Sequence, residues 1–426
     1  MEGEVRITRA LLTTAASAFL VASCGPSNTG PALLGADYKL YSATSSQSSQ
    51  QISVIDTRSH RVDRSLPLGT PSPDWTHLYS VQGNALVDLD PSTGAALHTL
   101  QLSSAFQLPM ATMSGLPGGL SQDGRWLVLE AFDSPVNAPP TATHFLLVDT
   151  SYANAAKRID LPGYFQFDAV SNDGQRIYVI QYLSSDSYHV RVFNVVTAQL
   201  DPTIIVDKTD GNAAMAGLRI AGVASHDGHW LYSVYIRKNQ GAFIHALSLD
   251  GTIAFCLDLP GPGYAASLAA FDWSVALSAD GSRLYAANGA LGLVAELDAS
   301  NAGPSLLRTG HIDTLAQSAG LIQGVKAKEF GGNGAVLSRD GRTLVTIGTK
   351  GVTWIDIASF RPTGRQLSDW TIWGLALSPN GDQLYAVSDG GMIAEISMTG
   401  AHAASTFAGA AGQPMGLIRV EAAQAP

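Results

Sequence analysis

The chain has only two cysteines in 426 residues, which excludes a disulfide framework and every multi-cysteine zinc pattern. Charge is also scarce. Charged residues make up 14%, and Lys+Arg 25 against Asp+Glu 35 leaves a net charge of −10. With no basic cluster, nucleic acid is excluded as a partner. Helical periodicity is almost missing, which argues against a coiled coil or a helical repeat. There is no Gly-x-Ser-x-Gly elbow and no phosphate-cradling loop. What remains is 46% hydrophobic, with Gly 43 and Pro 20, enough apolar surface for a large core punctuated by turns.

The longest apolar run, Ala10–Val21, is too short to span a bilayer and follows Arg6 and Arg9. That is the layout of an export signal over residues 1–23. It ends in Val21-Ala22-Ser23-Cys24, which resembles the bacterial lipobox. The resemblance implies Cys24 as a lipidated N-terminus, residues 24–36 as a tether, and anchoring at the extracytoplasmic face of a membrane. Two acyl chains suffice for durable attachment, whereas one does not. Cys256, in Ile253-Ala-Phe-Cys-Leu-Asp-Leu259, is expected as a buried, inert thiol in a strand. The run Ser42–Gln51 is expected as a long hairpin loop.

One phrase recurs: Ser, any residue, Asp/Asn-Gly, two residues, then an apolar pair. It occurs as Ser121-Gln-Asp-Gly124, Ser171-Asn-Asp-Gly174, Ser225-His-Asp-Gly228, Ser278-Ala-Asp-Gly281, Ser338-Arg-Asp-Gly341 and Ser378-Pro-Asn-Gly381. A worn copy, Ser72-Pro-Asp-Trp75, lacks the glycine. The serines are 49, 50, 54, 53, 60 and 40 residues apart, the period of a four-stranded propeller blade. Ser and Asp bond the turn backbone and Gly supplies positive φ, so each phrase joins two adjacent strands. The recurring aspartates are turn-makers, not paired catalytic carboxylates.

These residues resemble the YVTN-type family of bacterial β-propellers, and Ala276–Asn288 and Ala376–Ser388 match its core best. The resemblance implies an all-β propeller over residues 37–421, followed by a tail at 422–426. It carries little about function. Eight middle-strand pairs against seven turn phrases predict eight blades, with seven as the alternative because Ser72 has little room before it. The unmatched first pair, Tyr38–Ala43 with Ile52–Asp56, needs an inner strand. Pro414–Glu421 is available for it, so the chain ends are expected to close the ring.

Propellers bind where inner strands begin, around the channel mouth. Counting back from the motif serines places Tyr164, Phe165, Arg219, Phe271, Asp272, Trp273, Trp370 and Trp373 there, with Asp168 and Asn333 close by. The alternative is that these aromatics pack between blades. His311–Gly332 is an insertion expected as a surface loop, or as a lid. His226 and His229 are too few for zinc, and no metal, cofactor or catalytic set is expected. The functional expectation is a lipid-anchored propeller binding a ligand or protein. A lactonase-like or lyase-like propeller enzyme and a subunit of an envelope complex are the alternatives.

Overall fold

The computed structural model describes residues 37–423 except 48, 112–114, 136–137, 185–186, 207–214, 301–302 and 313–333. The signal, Cys24 and tether, Asn333 and most of the His311–Gly332 insertion therefore lie outside the described residues. Among the described residues there is one short 3-10 turn, Leu268–Asp272, and otherwise strands. No helix of the described residues is long and apolar enough to cross a membrane.

The strands form eight antiparallel sheets, the blades of one β-propeller. From inner to outer strand, blade 1 runs Gln413–Ala422, Tyr38–Ser45, Gln50–Asp56, Arg61–Pro67. Blade 2 is Thr70–Pro71, Leu78–Gln82, Ala85–Leu89, Ala96–Gln101, and blade 3 has Trp126–Asp133, Ala142–Asp149, Lys157–Pro162. Blade 4 is Phe165–Val170, Arg176–Tyr182, Ser187–Asn194, Gln199–Leu200; blade 5 is Leu218–Ala224, Trp230–Ile236, Phe243–Ser248, Ala254–Asp258. Blades 6 to 8 begin at Ser274–Leu277, Ala335–Leu337 and Ile372–Leu377. The eight-blade expectation holds. Blade 2 explains why seven was the alternative, since its inner strand is two residues long.

Ring closure is as expected. Tyr38 faces Ala422 and Ser45 faces Gln413 in one antiparallel ladder, and Ala423 N donates to Asp37 O at 2.8 Å. Closure pairs the edge of Tyr38–Ser45 that would otherwise be open. The run Ser42–Gln51 differs from expectation. Both its ends are strand, with Ala43 opposite Ile52 and Ser45 opposite Gln50, and Thr44 is a residue type that favours strands.

The turn phrase builds what its chemistry predicts. Ser121 Oγ donates to Asp123 Oδ1 at 2.6 Å and accepts from Trp126 N at 2.9 Å, while Gly124 sits at φ 79°. Later copies repeat these bonds. In the worn copy Trp75 takes the glycine's place at φ 60° and keeps the turn bond to Ser72 O, at 2.9 Å. Its ring packs edge-on to Tyr41, 4.7 Å between centroids, with Arg419 5.0 Å above it. That packing supports a backbone conformation a bulky residue otherwise avoids.

Successive strand residues point to opposite faces, and both faces of a blade meet a neighbour. Leu127 and Leu129 therefore pack towards blade 2 while Val128 packs towards blade 4. The buried apolar residues fall into eight clusters, one per seam between consecutive blades, including the closing seam of blades 8 and 1.

Blade 3 departs from the pattern. Its inner position is split between Gln107, which bridges Glu130, and Leu120, which bridges Leu127. Between them the described residues 109–111 and 116–118 pair as the arms of a hairpin, with Gly118 N bonded to Pro109 O at 2.7 Å and Ala111 N to Leu116 O at 2.9 Å. Thr70 Oγ1 of blade 2 donates to Gly118 O, and a Cβ on Gly115 would sit 3.5 Å from Met415 of blade 1. The hairpin thus covers the short inner strand of blade 2.

Candidate functional site

Among the described residues, the seam between blades 4 and 5 holds the most deeply buried ion pair. In Phe165-Gln-Phe-Asp-Ala-Val170 the two phenylalanines pack towards blade 3. The pairing register then shifts between Phe167 and Ala169, leaving Asp168 as an unpaired bulge residue. Bulges re-aim side chains and are over-represented beside active sites. On blade 5, Leu218 and Ile220 pack towards blade 6, so alternation turns Arg219 the other way. Its Nη1 donates to Asp168 Oδ1 across the seam.

The pair is sequestered: the Asp168 side chain is 1% exposed and that of Arg219 13%. Asp168 Oδ2 is buried without a partner. Burial pushes the Asp168 carboxyl up, and Arg219 holds it back. Burial opposes charge on Arg219, yet Asp168 and the surrounding phenols raise its pKa overall.

A file of tyrosines flanks the pair. Tyr164 stacks on Tyr182 at 4.7 Å, Tyr182 lies 6.3 Å from Tyr188, and Tyr188 stacks on Tyr235 at 5.7 Å. Gln166 ties the outer two, donating to Tyr164 Oη at 2.9 Å and accepting from Tyr182 Oη at 2.7 Å. The Tyr188 and Tyr235 hydroxyls are buried without partners. Burial pushes Tyr182 up to about 12 and Tyr235 higher still, so both phenols stay neutral at ordinary pH. Cys256 packs against the same seam from the outer strand of blade 5, its Sγ 3.7 Å from His245 Nδ1. It is in a strand as expected, but half-buried, because strand Ala254–Asp258 is the outer one of its blade.

Glu130 completes the set from blade 3. It is buried, accepts from Phe167 N at 3.3 Å and interacts with Arg219. Burial raises its carboxyl to about 7, against the pull of the Phe167 amide and Arg219. The strand Trp-Leu-Val-Leu-Glu-Ala-Phe-Asp133 carries one signal that sequence reasoning missed: an acid where alternation demands a seam-facing apolar residue.

Of the residues picked from sequence, the structure gathers Arg219, Tyr164 and Asp168 here. The others sit near inner-strand starts but in separate seams. Phe165 is in the seam of blades 3 and 4, and Trp273 and Phe271 are in that of blades 5 and 6. Trp370 packs between blades 7 and 8 and Trp373 between blades 8 and 1. Trp273 is 3% exposed, and the indole N–H groups of Trp273 and Trp373 are buried without partners. Asp272 is half-buried at the end of the 3-10 turn. His226 and His229 are exposed, and among the described residues no three His, Cys, Asp or Glu converge as metal ligands.

No protein-family model matches the chain, and no curated protein does. Solved structures do. Dihydro-heme d1 dehydrogenase NirN in complex with DHE aligns with TM-score 0.51 and 14% identity, over 88% of this chain and 73% of that one. The periplasmic gluconolactonase of Pseudomonas aeruginosa aligns with TM-score 0.44 and 16% identity, over 90% and 98%. Kuenenia stuttgartiensis hydrazine synthase gives 0.42 and 14%, over 72% and 90%. At such identity the likeness is one of fold, and the class defined is the eight-bladed β-propeller. Fold alone assigns no activity.

Proposed function

We propose that this chain is an exported, lipid-anchored propeller of the bacterial cell envelope, built on YVTN-type repeats, that binds its ligand at the channel-facing end of the seam between blades 4 and 5. The Arg219–Asp168 pair carries this reading. A buried ion pair adds little stability over an apolar pair of similar volume, and among the described residues no other seam holds a pair as buried as this one. A local rule broken where the scaffold does not need it points to function. The lipobox-like Val21–Cys24 supports the anchor.

The test replaces Asp168 by Leu and Arg219 by Met together, which removes both charges. The expected outcome is a cooperative fold, with loss of the ligands that shift the wild-type melting temperature in a metabolite screen. Equal hits in both proteins would place the ligand elsewhere. Separately, Cys24→Ser should leave an uncleaved precursor. Release and trimming of that variant like wild type would overturn the anchor.

Glu130 favours a second reading, a propeller enzyme. A carboxyl titrating near neutrality beside a fixed guanidinium is suited to general acid–base work. A substrate turned over by wild type and not by Glu130→Gln, with binding retained, would establish it.

A further inference from the structure

Arg219 offers more than its bond to Asp168 uses. A guanidinium carries five N–H donors in a planar fork, and among the described residues Asp168 is its one hydrogen-bonding partner. The remaining donors sit on a side chain that keeps 13% of its surface exposed, on an inner strand where Ala221 is half-buried and Gly222 exposed. Asp168, buried at its bulge, fixes the guanidinium as an outer carboxylate fixes a metal-binding histidine. Tyr182 interacts with the guanidinium, and half-buried Tyr164 stacks on Tyr182 and extends that aromatic surface.

We infer that Arg219 is an anion grip for a small monocarboxylate with a flat apolar body, the carboxylate taking the unused N–H donors and the body lying against Tyr164. The inference rests on the binding reading above and names its ligand class. Arginine pairs with carboxylates through two parallel bonds, which an ammonium does not reproduce. A dianion is disfavoured because Asp168 already sits against the guanidinium and Glu130 interacts with it from blade 3. Like charges at such range repel.

The probe is benzoate, titrated against the full chain at matched ionic strength with melting temperature as the readout. Wild type is expected to show a saturable rise. R219K should need at least tenfold more benzoate. The double variant Asp168→Asn with Arg219→Gln keeps the shape of the pair without its charge, and should melt cooperatively with no response. Glu130 faces Arg219, the Phe167 amide and the phenols of Tyr164 and Tyr182. Its protonation removes a repelling charge, so wild-type affinity should rise several-fold from pH 8 to pH 6, where benzoate stays ionised. In Glu130→Gln that dependence should vanish.

Inorganic phosphate is the second arm. A saturable phosphate response equal to that of benzoate would overturn the monocarboxylate assignment, and so would an unresponsive wild type. If a molecule from the metabolite screen binds wild type and R219K alike, this inference falls while the binding reading stands. If nothing in the screen binds either, both fall.

Discussion

Blade 5 has a polar seam on one side and an apolar seam on the other. Towards blade 6, Trp273, Ile220, Val275 and Leu284 pack in one apolar cluster. Towards blade 4, Arg219 and Asp168 occupy the corresponding depth, with two buried phenols that lack partners. The same inner strand supplies both, through the alternation of Ile220 and Arg219. Apolar burial at about 25 cal/mol per Å² holds the first seam together. The second gives up part of that gain and leaves acceptors and donors unspent, as expected where a surface is kept for something else.

The largest expected effect tests whether the seams are equivalent parts of one closed ring. Deleting residues 412–426 removes the inner strand of blade 1, exposing its edge and one side of two seams. Loss of the cooperative melt and aggregation are expected; ordinary solubility with an unchanged melting temperature would show that closure is dispensable.

Next come single substitutions on either side of blade 5. Trp273→Ala should cost about 3–5 kcal/mol in chemical denaturation, the usual cost of emptying a buried Trp site. Arg219→Ala should cost a similar amount, about 3–5 kcal/mol, because it strands a buried carboxylate. The two then part. Removing both charges, as Asp168→Leu with Arg219→Met, should restore most of the loss, whereas no second substitution refills the Trp273 site. If the double variant is as unstable as Arg219→Ala, the polar seam is structural after all.

A smaller effect concerns pH. The neutral form of Glu130 is favoured in the fold, since burial raises its carboxyl from 4.5 to about 7. Between those values the folded chain holds a proton that the unfolded chain has released, so stability falls as pH rises through this window. The difference amounts to about 3 kcal/mol at 1.36 kcal/mol per unit. Glu130→Gln should therefore gain stability relative to wild type by roughly that much between pH 4.5 and pH 8. Parallel pH profiles would count against a buried carboxyl here.

The smallest effect compares two copies of one turn. Gly174 and Gly341 share positive φ, but a Cβ at Gly174 would fall 2.3 Å from the Trp126 ring, whereas at Gly341 it meets nothing. Gly341→Ala should cost only the backbone term of about 1–2 kcal/mol, and Gly174→Ala distinctly more. Equal losses would mean that Trp126 swings away freely.

The turn phrase was legible because its chemistry is local: Ser121, Asp123 and Gly124 satisfy one another within a few residues. Closure by Pro414–Glu421 was legible because the phrase counts blades. Trp75 hid its turn, since the support for its φ comes from Tyr41 and Arg419, far away in sequence. The blade 3 hairpin was hidden for a similar reason, as nothing in Pro109–Gly118 announces that the inner strand of blade 2 is only two residues long. The Arg219–Asp168 pair spans two blades and depends on a bulge, which shifts the parity that alternation arguments assume. That same parity carried Trp273 and Trp373 into separate seams, although counting placed both at inner-strand starts.

Ring closure also sets an order of events. The ladder between Tyr38–Ser45 and Gln413–Ala422 joins the first described strand to the last. Contacts of such sequence separation form late, because most of the chain must be ordered before they can be made. During synthesis, the Tyr38–Ser45 edge of blade 1 stays open until the last strand, Gln413–Ala422, has emerged, and an open edge is a template for another chain. The ring cannot lock while its last strand is still missing.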